Sequence, residues 1–428
     1  MAKLKVLIMK EFVGRMKILI LFSSSLEPMI GMNQVRVYNQ IKYLSLHNVV
    51  DFASINNSLA SIEDTNRRVS PYVNAYYPIK GSYLGKNKIE RFILKSLKFI
   101  KYYLSFRPRE DISISTGHIK KCVRDIISKG DYDVIILHYW FWGYLLKNLP
   151  DNIIKVIDTH YAVEENIELF KKGFYKIRNR YRLKKELEYS LIKQLDYFKY
   201  CDLIVVNSSK QAEIFKTSVP EEKIVIAENG QDLSEYLEYK CPIDDDSLLF
   251  YGSLSNQFNR LALKRILNNI YPGILKLHPR VKLIIAGNNP PFALLNKYNY
   301  PDMMVTGFIE DIKPIIGKCA VMLLPLETGS GFRGRLVEVM ALGVPVIGTQ
   351  NGLQSVGIQD GVQGYYAESD EEIIQKAIMV INNPELRQKL SEQCRKFVQE
   401  KYTLEATFGK MEASIESVLA KRNKPSNL

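Results

Sequence analysis

The stretch Leu326-Glu327-Thr328-Gly329-Ser330-Gly331-Phe332-Arg333-Gly334-Arg335-Leu336-Val337-Glu338 carries most of what this sequence predicts about fold and function. The apolar run 320–326 predicts a buried strand, and the helical pattern that follows continues to a stop at Gly343. The glycines let backbone amides approach a ligand closely, and the first turn of a helix offers unpaired N–H groups at its positive end. Strand, glycine loop and helix in this order therefore predict a phosphate site.

Charged residues after the glycines support this prediction. Arg333 and Arg335 fall in the predicted first helical turn, where a cation is disfavoured by roughly 0.3 to 1 kcal/mol unless an anion lies nearby. Both arginines therefore indicate a bound anion. Glu338 has two interpretations: a surface pair with Arg335, three residues before it, or a carboxylate that accepts two adjacent hydroxyls of a ribose.

The stretch, together with Met340-Ala341-Leu342-Gly343-Val344-Pro345-Val346, resembles the donor-binding motif of the retaining GT-B glycosyltransferases of family 4. The resemblance spans nearly the whole chain from Met16. The fuller family motif has two glutamates separated by seven residues, and Ser330 stands in place of the first. A branch of the family with a Gly-Ser-Gly loop shares this departure.

The resemblance implies three catalytic residues, His160, Glu338 and Arg333. It also implies a donor-binding set, which comprises Gly252, Ser253, Gly329, Ser330, Gly331, Phe332 and Arg335. Many members place a lysine and an arginine after the first strand of the second domain to hold the diphosphate. Arg260 and Lys264 are candidate substitutes for them, and their helical positions equally fit a solvated face.

Composition bounds the class of protein. The chain has 428 residues, 46% of them hydrophobic, enough for two domains with their own cores. It shows no apolar run of membrane-spanning length and no signal sequence, which predicts a cytoplasmic protein. Its five scattered cysteines indicate reduced thiols, and no cluster has metal-ligand spacing. The net charge of +13 favours an anionic partner.

The first predicted domain begins with strand, helix and strand over residues 16–55, the opening unit of a doubly wound sheet. Its first loop should open at the carboxyl edge of the sheet, where such folds bind ligands. Gly31 and Arg36 are the candidate acceptor-binding residues of this loop and helix. Arg36 has an alternative interpretation as a solvated helix residue.

Polar residues follow the predicted strand 153–157, namely Asp158-Thr159-His160-Tyr161. Several polar side chains at the carboxyl end of a strand indicate a ligand site in an open sheet, although a single histidine is usually structural. Related glycosyltransferases carry a histidine at the end of the corresponding strand, facing the donor sugar. The resemblance therefore assigns that role to His160.

The predicted fold is GT-B: two doubly wound Rossmann-like α/β domains facing across a cleft. The domains are an acceptor-binding domain at 1–235, a nucleotide-sugar-binding domain at 236–404 and a C-terminal helix at 405–428 that crosses back to the first domain. Residues 232–247, which include three consecutive aspartates, are interpreted as the linker.

Residues 86–109 predict a basic amphipathic helix, with eight lysines or arginines against one acid. In one interpretation its apolar face packs on the first domain. In the other, the helix docks at an anionic membrane surface. Nucleic acid is not predicted as a partner, because the sequence carries no recognised nucleic-acid-binding motif.

The resemblance implies a retaining, metal-independent hexosyltransferase that uses a nucleotide-diphosphate sugar as donor and needs no cofactor. A glycan or a lipid-linked glycan is the expected acceptor, in cell-surface polysaccharide or glycoconjugate synthesis, with the enzyme cytoplasmic or peripheral on the inner membrane face. Two alternatives stay open: a nucleotide-sugar epimerase of the same fold, and a non-catalytic protein that retains the fold.

Overall fold

The computed structural model describes residues 15–29, 31–82, 84–173, 180–290, 296, 300, 302–327 and 332–423. The chain divides into two units. The first runs to Gly230 and resumes at Thr407, and the second is Gln231–Ala406.

The first unit is built on a seven-stranded parallel sheet with the order β3-β2-β1-β4-β5-β6-β7. Its central strands read as continuous apolar runs because helices cover both faces of such a sheet. Every residue of β4, β5 and β6 is buried. The strands are β1 (Lys17–Phe22), β2 (Val49–Asn56), β3 (Ala75–Lys80), β4 (Val134–His138), β5 (Ile154–Asp158), β6 (Leu203–Val206) and β7 (Ile224–Ile226).

Helices connect most of the successive strands of the first unit, because neighbouring parallel strands need crossover connections. They are α1 (Met32–Leu44), α2 (Leu59–Val69), α3 (Lys88–Ser105), α4 (Arg109–Ile114), α5 (Gly117–Gly130), α6 (Val163–Lys171), α7 (Arg180–Phe198) and α8 (Ser209–Lys216). A 3-10 segment, Trp140–Asn148, follows β4 and buries both tryptophans of the chain.

The second unit is built on a six-stranded parallel sheet with the order β10-β9-β8-β11-β12-β13. The strands are β8 (Asp244–Tyr251), β9 (Lys282–Ala286), β10 (Met303–Gly307), β11 (Cys319–Leu324), β12 (Val346–Gly348) and β13 (Gly364–Tyr366). The predicted pair of Rossmann-like parallel-sheet domains is confirmed.

The helices of the second unit are α9 (Ser234–Glu238), α10 (Gln257–Arg265), α11 (Tyr271–Leu277), α12 (Lys313–Ile316), α13 (Gly334–Ala341), α14 (Gln350–Leu353), α15 (Asp370–Ile381) and α16 (Pro384–Lys401). A last helix, α17 (Leu404–Asn423), follows them. A π-helical segment, Ile266–Ile270, joins α10 to α11.

The last helix, α17, belongs to the first unit from Thr407 onward. Phe408, Met411 and Ile415 are buried on its inner face. The Asn48 side chain donates to Glu412 at 2.7 Å, which fixes the helix against the end of α1.

The predicted linker at 232–247 is partly wrong, because its three aspartates begin β8 instead of an exposed loop. Each carboxylate has a cationic partner: Asp244 pairs with Lys282, Asp245 with Arg387, and Asp246 with Arg280 at 3.8 Å. Ion pairing of this kind lets charged residues start a strand that sequence composition alone assigns to a loop.

The predicted helix in 86–109 is present as α3, and Asn87 and Glu90 form a capping box at its start. The interpretation that its apolar face packs on the first domain is wrong, because its large apolar side chains are exposed. Among the described helices, none is long and apolar enough to cross a membrane.

Candidate active site

In the second unit, a polar cluster forms where β8 and the helix after β11 meet at the carboxyl edge of the sheet. Tyr251 is the last residue of β8, and Arg335 and Glu338 lie on α13. The Tyr251 hydroxyl donates to Glu338 Oε2 at 3.3 Å, and the Arg335 guanidinium lies over the Tyr251 ring, 5.0 Å from its centroid. This edge is where parallel α/β sheets bind ligands.

Glu338 is a poor candidate for a surface ion pair. Burial raises the pKa of its carboxyl group to about 7, although Arg335 and the Tyr251 hydroxyl both act in the opposite direction. Among the described residues, Arg335 acts on Glu338 through its charge and not through a hydrogen bond, and Arg335 Nη1 is buried without a hydrogen-bond partner. The carboxylate and the guanidinium therefore retain bonding capacity for a ligand, which favours the ribose interpretation over the surface pair.

Arg333 has a different environment from the one predicted. It is the N-cap of α13 and precedes the first helical turn. Its Nε donates to the Gly352 carbonyl and its Nη2 to the Asn351 carbonyl, both at 3.0 Å, and burial lowers the pKa of its guanidinium. The side chain thus braces the loop before α13 against α14, and Arg335 is the arginine with unused donor capacity.

Gly329, Ser330 and Gly331 lie outside the described residues. Phe332 is half-buried and packs its ring against Tyr402, with 5.4 Å between ring centroids. Phe332 therefore anchors the end of the glycine loop in the apolar core of the second unit.

The turn after β8 contains Gly252 and Ser253. The Gly252 N–H donates to Ala286, the last residue of β9, at 3.0 Å. Gly287 follows with a φ of +139°, and a Cβ there would lie 1.9 Å from the Gly252 carbonyl oxygen, so only glycine permits this approach. The Ser253 carbonyl accepts from Asn259 at 2.9 Å.

The two candidate diphosphate residues differ in their contacts. Arg260 Nη1 donates to the Leu254 and Ser255 carbonyls at 2.9 and 2.8 Å, so this guanidinium stabilises its own turn. Lys264 is exposed on α10. Neither side chain contacts the cluster of Tyr251, Arg335 and Glu338 through a hydrogen bond recorded among the described residues.

In the first unit, a second polar cluster forms at the carboxyl ends of β4 and β5. His160 lies two residues after β5 with a φ of +58°, and its ring stacks on Tyr139 at 4.3 Å. Its Nε2 is 2.8 Å from His138 Nδ1, and its Nδ1 is 3.3 Å from Asn33 Oδ1. Since the Asn33 oxygen only accepts, Nδ1 carries the proton and Nε2 accepts from His138.

Arg36 is fully buried beneath these histidines. Its Nε donates to both oxygens of Asp158, at 3.1 and 2.9 Å, and its Nη1 donates to the Glu228 carbonyl at 2.6 Å and to Asn229. The solvated-residue interpretation of Arg36 is therefore wrong. The predicted acceptor contact is also corrected, because a side chain with no exposed surface braces the strand ends and cannot reach a substrate.

Burial sets the protonation of this cluster. It lowers the pKa of His138 to about 4 and that of His160 well below its usual value, and the nearby Asp158 charge offsets only part of this effect. Burial alone would raise the pKa of Asp158, but Arg36 and the two histidines outweigh it and hold that pKa below its usual range. Both histidines are therefore neutral at pH 7.

Among the described residues, the group with metal-ligand proximity is His138, Asp158 and His160, whose ligand atoms lie within 4.8 Å of one another. This group fits a cation poorly. Both Asp158 oxygens already accept from Arg36, whose positive charge would repel a metal ion. The donor set therefore fits a hydrogen-bond network better than a metal centre.

Gly31 is the N-cap of α1, and its N–H donates to Gln34 Oε1 at 3.0 Å. Its φ of −131° makes no demand for glycine. In this segment Asn33, and not Gly31, contacts the cluster, since it donates to the Tyr139 hydroxyl at 2.6 Å and accepts from His160.

Sequence reasoning missed Tyr251, His138 and Asn33 as members of the two clusters. The signal for His138 and Tyr251 was available, because each is the last residue of a predicted strand. Asn33 carried no such signal, because its partners are 106 and 127 residues away in the chain.

Comparison with known protein families matches both halves of the chain. Residues 245–383 match the family described as glycosyl transferases group 1, and residues 96–235 match glycosyltransferase family 4. Together the two segments cover about two thirds of the sequence.

Curated relatives match over shorter lengths. N-acetyl-alpha-D-glucosaminyl L-malate synthase of Bacillus anthracis is 29% identical over 145 residues, 32% of this chain and 38% of the relative. An uncharacterised 44.6 kDa protein in the cps region of Klebsiella pneumoniae is 24% identical over 177 residues, 40% of this chain and 46% of the relative. The chain thus spans less than half the length of these relatives.

Solved structures match nearly the whole chain at low identity. Anabaena HepE in complex with UDP gives a TM-score of 0.65 at 13% identity, covering 94% of this chain and 100% of HepE. Sucrose-phosphate synthase from Thermosynechococcus elongatus gives 0.65 at 16% identity, covering 95% and 100%. TarM gives 0.62 at 11% identity, covering 94% and 99%. These likenesses show the GT-B fold, in which the segment that matches glycosyltransferase family 4 precedes the segment that matches the glycosyl transferases group 1.

Proposed function

We propose that the protein is a retaining, metal-independent hexosyltransferase that moves a sugar from a nucleotide-diphosphate sugar to a glycan or lipid-linked acceptor. The observation that carries this proposal is the cluster of Tyr251, Arg335 and Glu338, which holds a half-buried carboxylate and a buried guanidinium nitrogen with unused bonding capacity. The UDP in the HepE structure supports a nucleotide as the ligand of such a site.

In this proposal Glu338 accepts the ribose hydroxyls of the donor. An ionised carboxylate accepts hydrogen bonds about twice as strong as neutral ones, so donor binding should favour the ionised form of a group whose pKa is about 7. Arg335 donates to the diphosphate and offsets the charge that grows as the sugar departs. Arg333 holds the start of α13 against α14 and so keeps Arg335 in position for both steps.

In this proposal His160 contacts the substrate as a neutral imidazole through the carbon edge of its ring, because its Nδ1 bonds to Asn33 and its Nε2 to His138. A pKa well below its usual value makes it a weak base at pH 7. The acceptor hydroxyl then attacks the anomeric carbon on the face from which the diphosphate departs, which retains the anomeric configuration. The leaving phosphate takes the proton of that hydroxyl as the bond between the sugar and the diphosphate breaks. Asn33 and Tyr139, which contact His160, set the orientation of its ring.

Cell-surface polysaccharide or glycoconjugate synthesis is the process we propose. The support is the curated relative described as a protein in a cps region. A lipid-linked glycan on the cytoplasmic face of a membrane is the acceptor that best suits a chain with a net charge of +13 and an exposed basic amphipathic helix.

A thermal-shift screen of nucleotide sugars tests the donor site. A ligand at 100 times its dissociation constant stabilises a protein by about 2.7 kcal/mol. The true donor should therefore raise the melting temperature more than the other nucleotide sugars in the screen. If none of the nucleotide sugars or nucleoside diphosphates raises the melting temperature, the proposal is contradicted.

Turnover of that donor then separates the candidate activities. Transfer in excess EDTA with retained anomeric configuration is the expected result, and activity restored only by a divalent ion would contradict metal independence. Interconversion of the donor without any acceptor would identify an epimerase. Donor binding without turnover across an acceptor library would favour a non-catalytic protein.

A further inference from the structure

Helix α3 presents an apolar face that the described part of the chain leaves uncovered. Ile89 and Phe92 are each 72% exposed, and Leu104 is 77% exposed. The exposed apolar set is Ile89, Phe92, Ile93, Leu97, Phe99, Ile100, Tyr103 and Leu104. Eight exposed apolar side chains on one helix form a contiguous patch, and large contiguous apolar patches on a folded protein mark an interaction surface.

The opposite, more polar face of α3 is the one that holds the helix to the first unit. The Tyr102 ring lies under two guanidinium groups, with Arg182 3.5 Å and Arg109 4.7 Å from its centroid. Arg182 also donates to the Tyr103 carbonyl at 3.2 Å. The attachment through Tyr102 keeps the apolar face directed away from the protein.

A cavity of about 250 Å³ lies at the base of the helix, between α3 and α4. It is lined by Lys95, Lys98, Phe99, Tyr102, Arg109, Ile112 and Ser113. Three of these side chains are cationic and none is acidic. Burial lowers the pKa of Lys98, so its charge gains from an anion in the cavity.

Acids also lie close to this cavity. Glu186 is 3.5 Å from Arg182, it accepts a hydrogen bond from Tyr102, and its charge interacts with Arg109. Asp111 accepts from Arg107 at 2.7 Å. Since none of the residues that line the cavity is acidic, Lys95, Lys98 and Arg109 offer positive charge to an anion of phosphate size.

Basic residues also border the exposed apolar face. At 100° per residue, Lys88 and Lys95 fall along one edge of the face, and Glu90 and Lys101 lie beyond its other edge. This arrangement suits a helix lying in the surface of a membrane, with apolar side chains among the acyl chains and lysines at headgroup level. A second copy of the chain that met this face along the edge with Lys88 and Lys95 would bring like charges together.

We infer that α3 is a docking site for a bilayer of anionic phospholipid, and that a headgroup phosphate occupies the cavity lined by Lys95, Lys98 and Arg109. This extends the proposed function, because it gives the acceptor a membrane location. It does not depend on the donor site, since every residue involved belongs to the first unit.

Vesicle co-sedimentation tests the inference with the full chain. Wild-type protein should sediment with phosphatidylglycerol-containing vesicles at low salt, remain free with phosphatidylcholine vesicles, and leave the anionic vesicles at high salt. Failure to sediment with the anionic vesicles at low salt overturns the inference.

Two double variants separate the headgroup cavity from the apolar face. Lys95→Gln with Arg109→Gln should weaken vesicle binding roughly 25-fold, at about fivefold per basic residue. Phe92→Ser with Leu97→Ser should weaken it at least as much, and the loss should persist at low salt. The matched controls are Lys121→Gln with Lys129→Gln and Leu46→Ser with Ile192→Ser, exposed residues elsewhere in the first unit.

Equal losses in the control variants would show that net charge or general apolarity drives binding, and would overturn the inference. Light scattering tests whether a second copy of the chain occupies the apolar face. A wild-type dimer that becomes a monomer in the Phe92→Ser, Leu97→Ser variant would show this, and would also overturn the inference. The thermal shift with the nucleotide-sugar donor should be unchanged in all four variants, which distinguishes failure here from failure of the proposed function.

Discussion

The two polar clusters differ in how their charges are compensated. In the first unit the buried Asp158 carboxylate forms two hydrogen bonds with Arg36, and its pKa is held below the usual range. In the second unit Glu338 is bonded to a tyrosine hydroxyl, and its pKa rises to about 7. One cluster uses its charges to hold strand ends together, and the other keeps a carboxylate and an arginine available. A paired buried charge stabilises a fold, whereas an unpaired one is suited to a ligand.

The largest expected effect is on stability, and it concerns the paired cluster. Asp158→Asn leaves Arg36 buried without its counter-charge, which should lower the free energy of unfolding of the first unit by about 3 to 5 kcal/mol. Urea unfolding followed by tryptophan fluorescence reports on this unit alone, because Trp140 and Trp142 are the two tryptophans of the chain and both lie in it. Glu338→Gln is the matched change in the second cluster, and it should leave that transition in place. Equal shifts in both variants would remove the contrast between the clusters.

Glu338→Gln should instead weaken the binding of the nucleotide-sugar donor. Losing charge-assisted hydrogen bonds to the ribose should weaken nucleotide-sugar binding by about 2 kcal/mol, roughly thirtyfold, and lower transfer at least as much. Isothermal titration and initial rates measure the two effects. Glu327→Gln is the control, because it removes an exposed charge from the same segment. An unchanged dissociation constant in Glu338→Gln would return Glu338 to a structural role.

The clusters should also give opposite pH dependences of stability. The pKa of His138 falls from 6.5 to about 4 on folding, so the unfolded chain binds more protons between these values and the first unit loses stability as pH falls below 6.5. The pKa of Glu338 rises from 4.5 to about 7, so the second unit loses stability as pH rises across that range. Each effect should reach about 2 to 3 kcal/mol.

Tryptophan fluorescence and far-ultraviolet circular dichroism, followed from pH 4.5 to 7, measure these slopes. Glu338→Gln should flatten the slope of the second unit and leave the fluorescence slope of the first unchanged. Two slopes of the same sign would contradict the assigned protonation states.

The smallest expected effect separates the two arginines of the donor segment. Arg335→Met should weaken nucleoside diphosphate binding by about 1 kcal/mol, roughly fivefold, and the loss should shrink as salt screens the charge. Arg333→Met should weaken binding by freeing the start of α13 from α14, so its effect should persist at high salt. Titrations at low and high ionic strength distinguish the two, and identical salt dependence would show that both arginines contact the phosphates.

Several of these residues were identifiable from local pattern. Glu338 and Arg335 stand out because a helix follows a strand and a glycine-rich run, an order that local sequence encodes. Other assignments failed because their cause is distant in the chain. Arg36 resembles a solvated helix residue until Asp158, 122 residues later, is placed beside it. The aspartates of β8 suggest a linker until their cationic partners, as far away as Arg387, neutralise them.

The sequence by itself determined the two parallel sheets and the strand and helix on either side of the glycine segment, because apolar runs, glycines and helix stops act over a few residues. The tertiary structure alone decided which charges are paired and which are free. It set Arg333 apart from Arg335, buried Arg36 beneath two neutral histidines, and left the apolar face of α3 exposed while its polar face packs. The reason is that burial and pairing depend on side chains brought together from distant segments, and these neighbours decide whether a buried charge is stable.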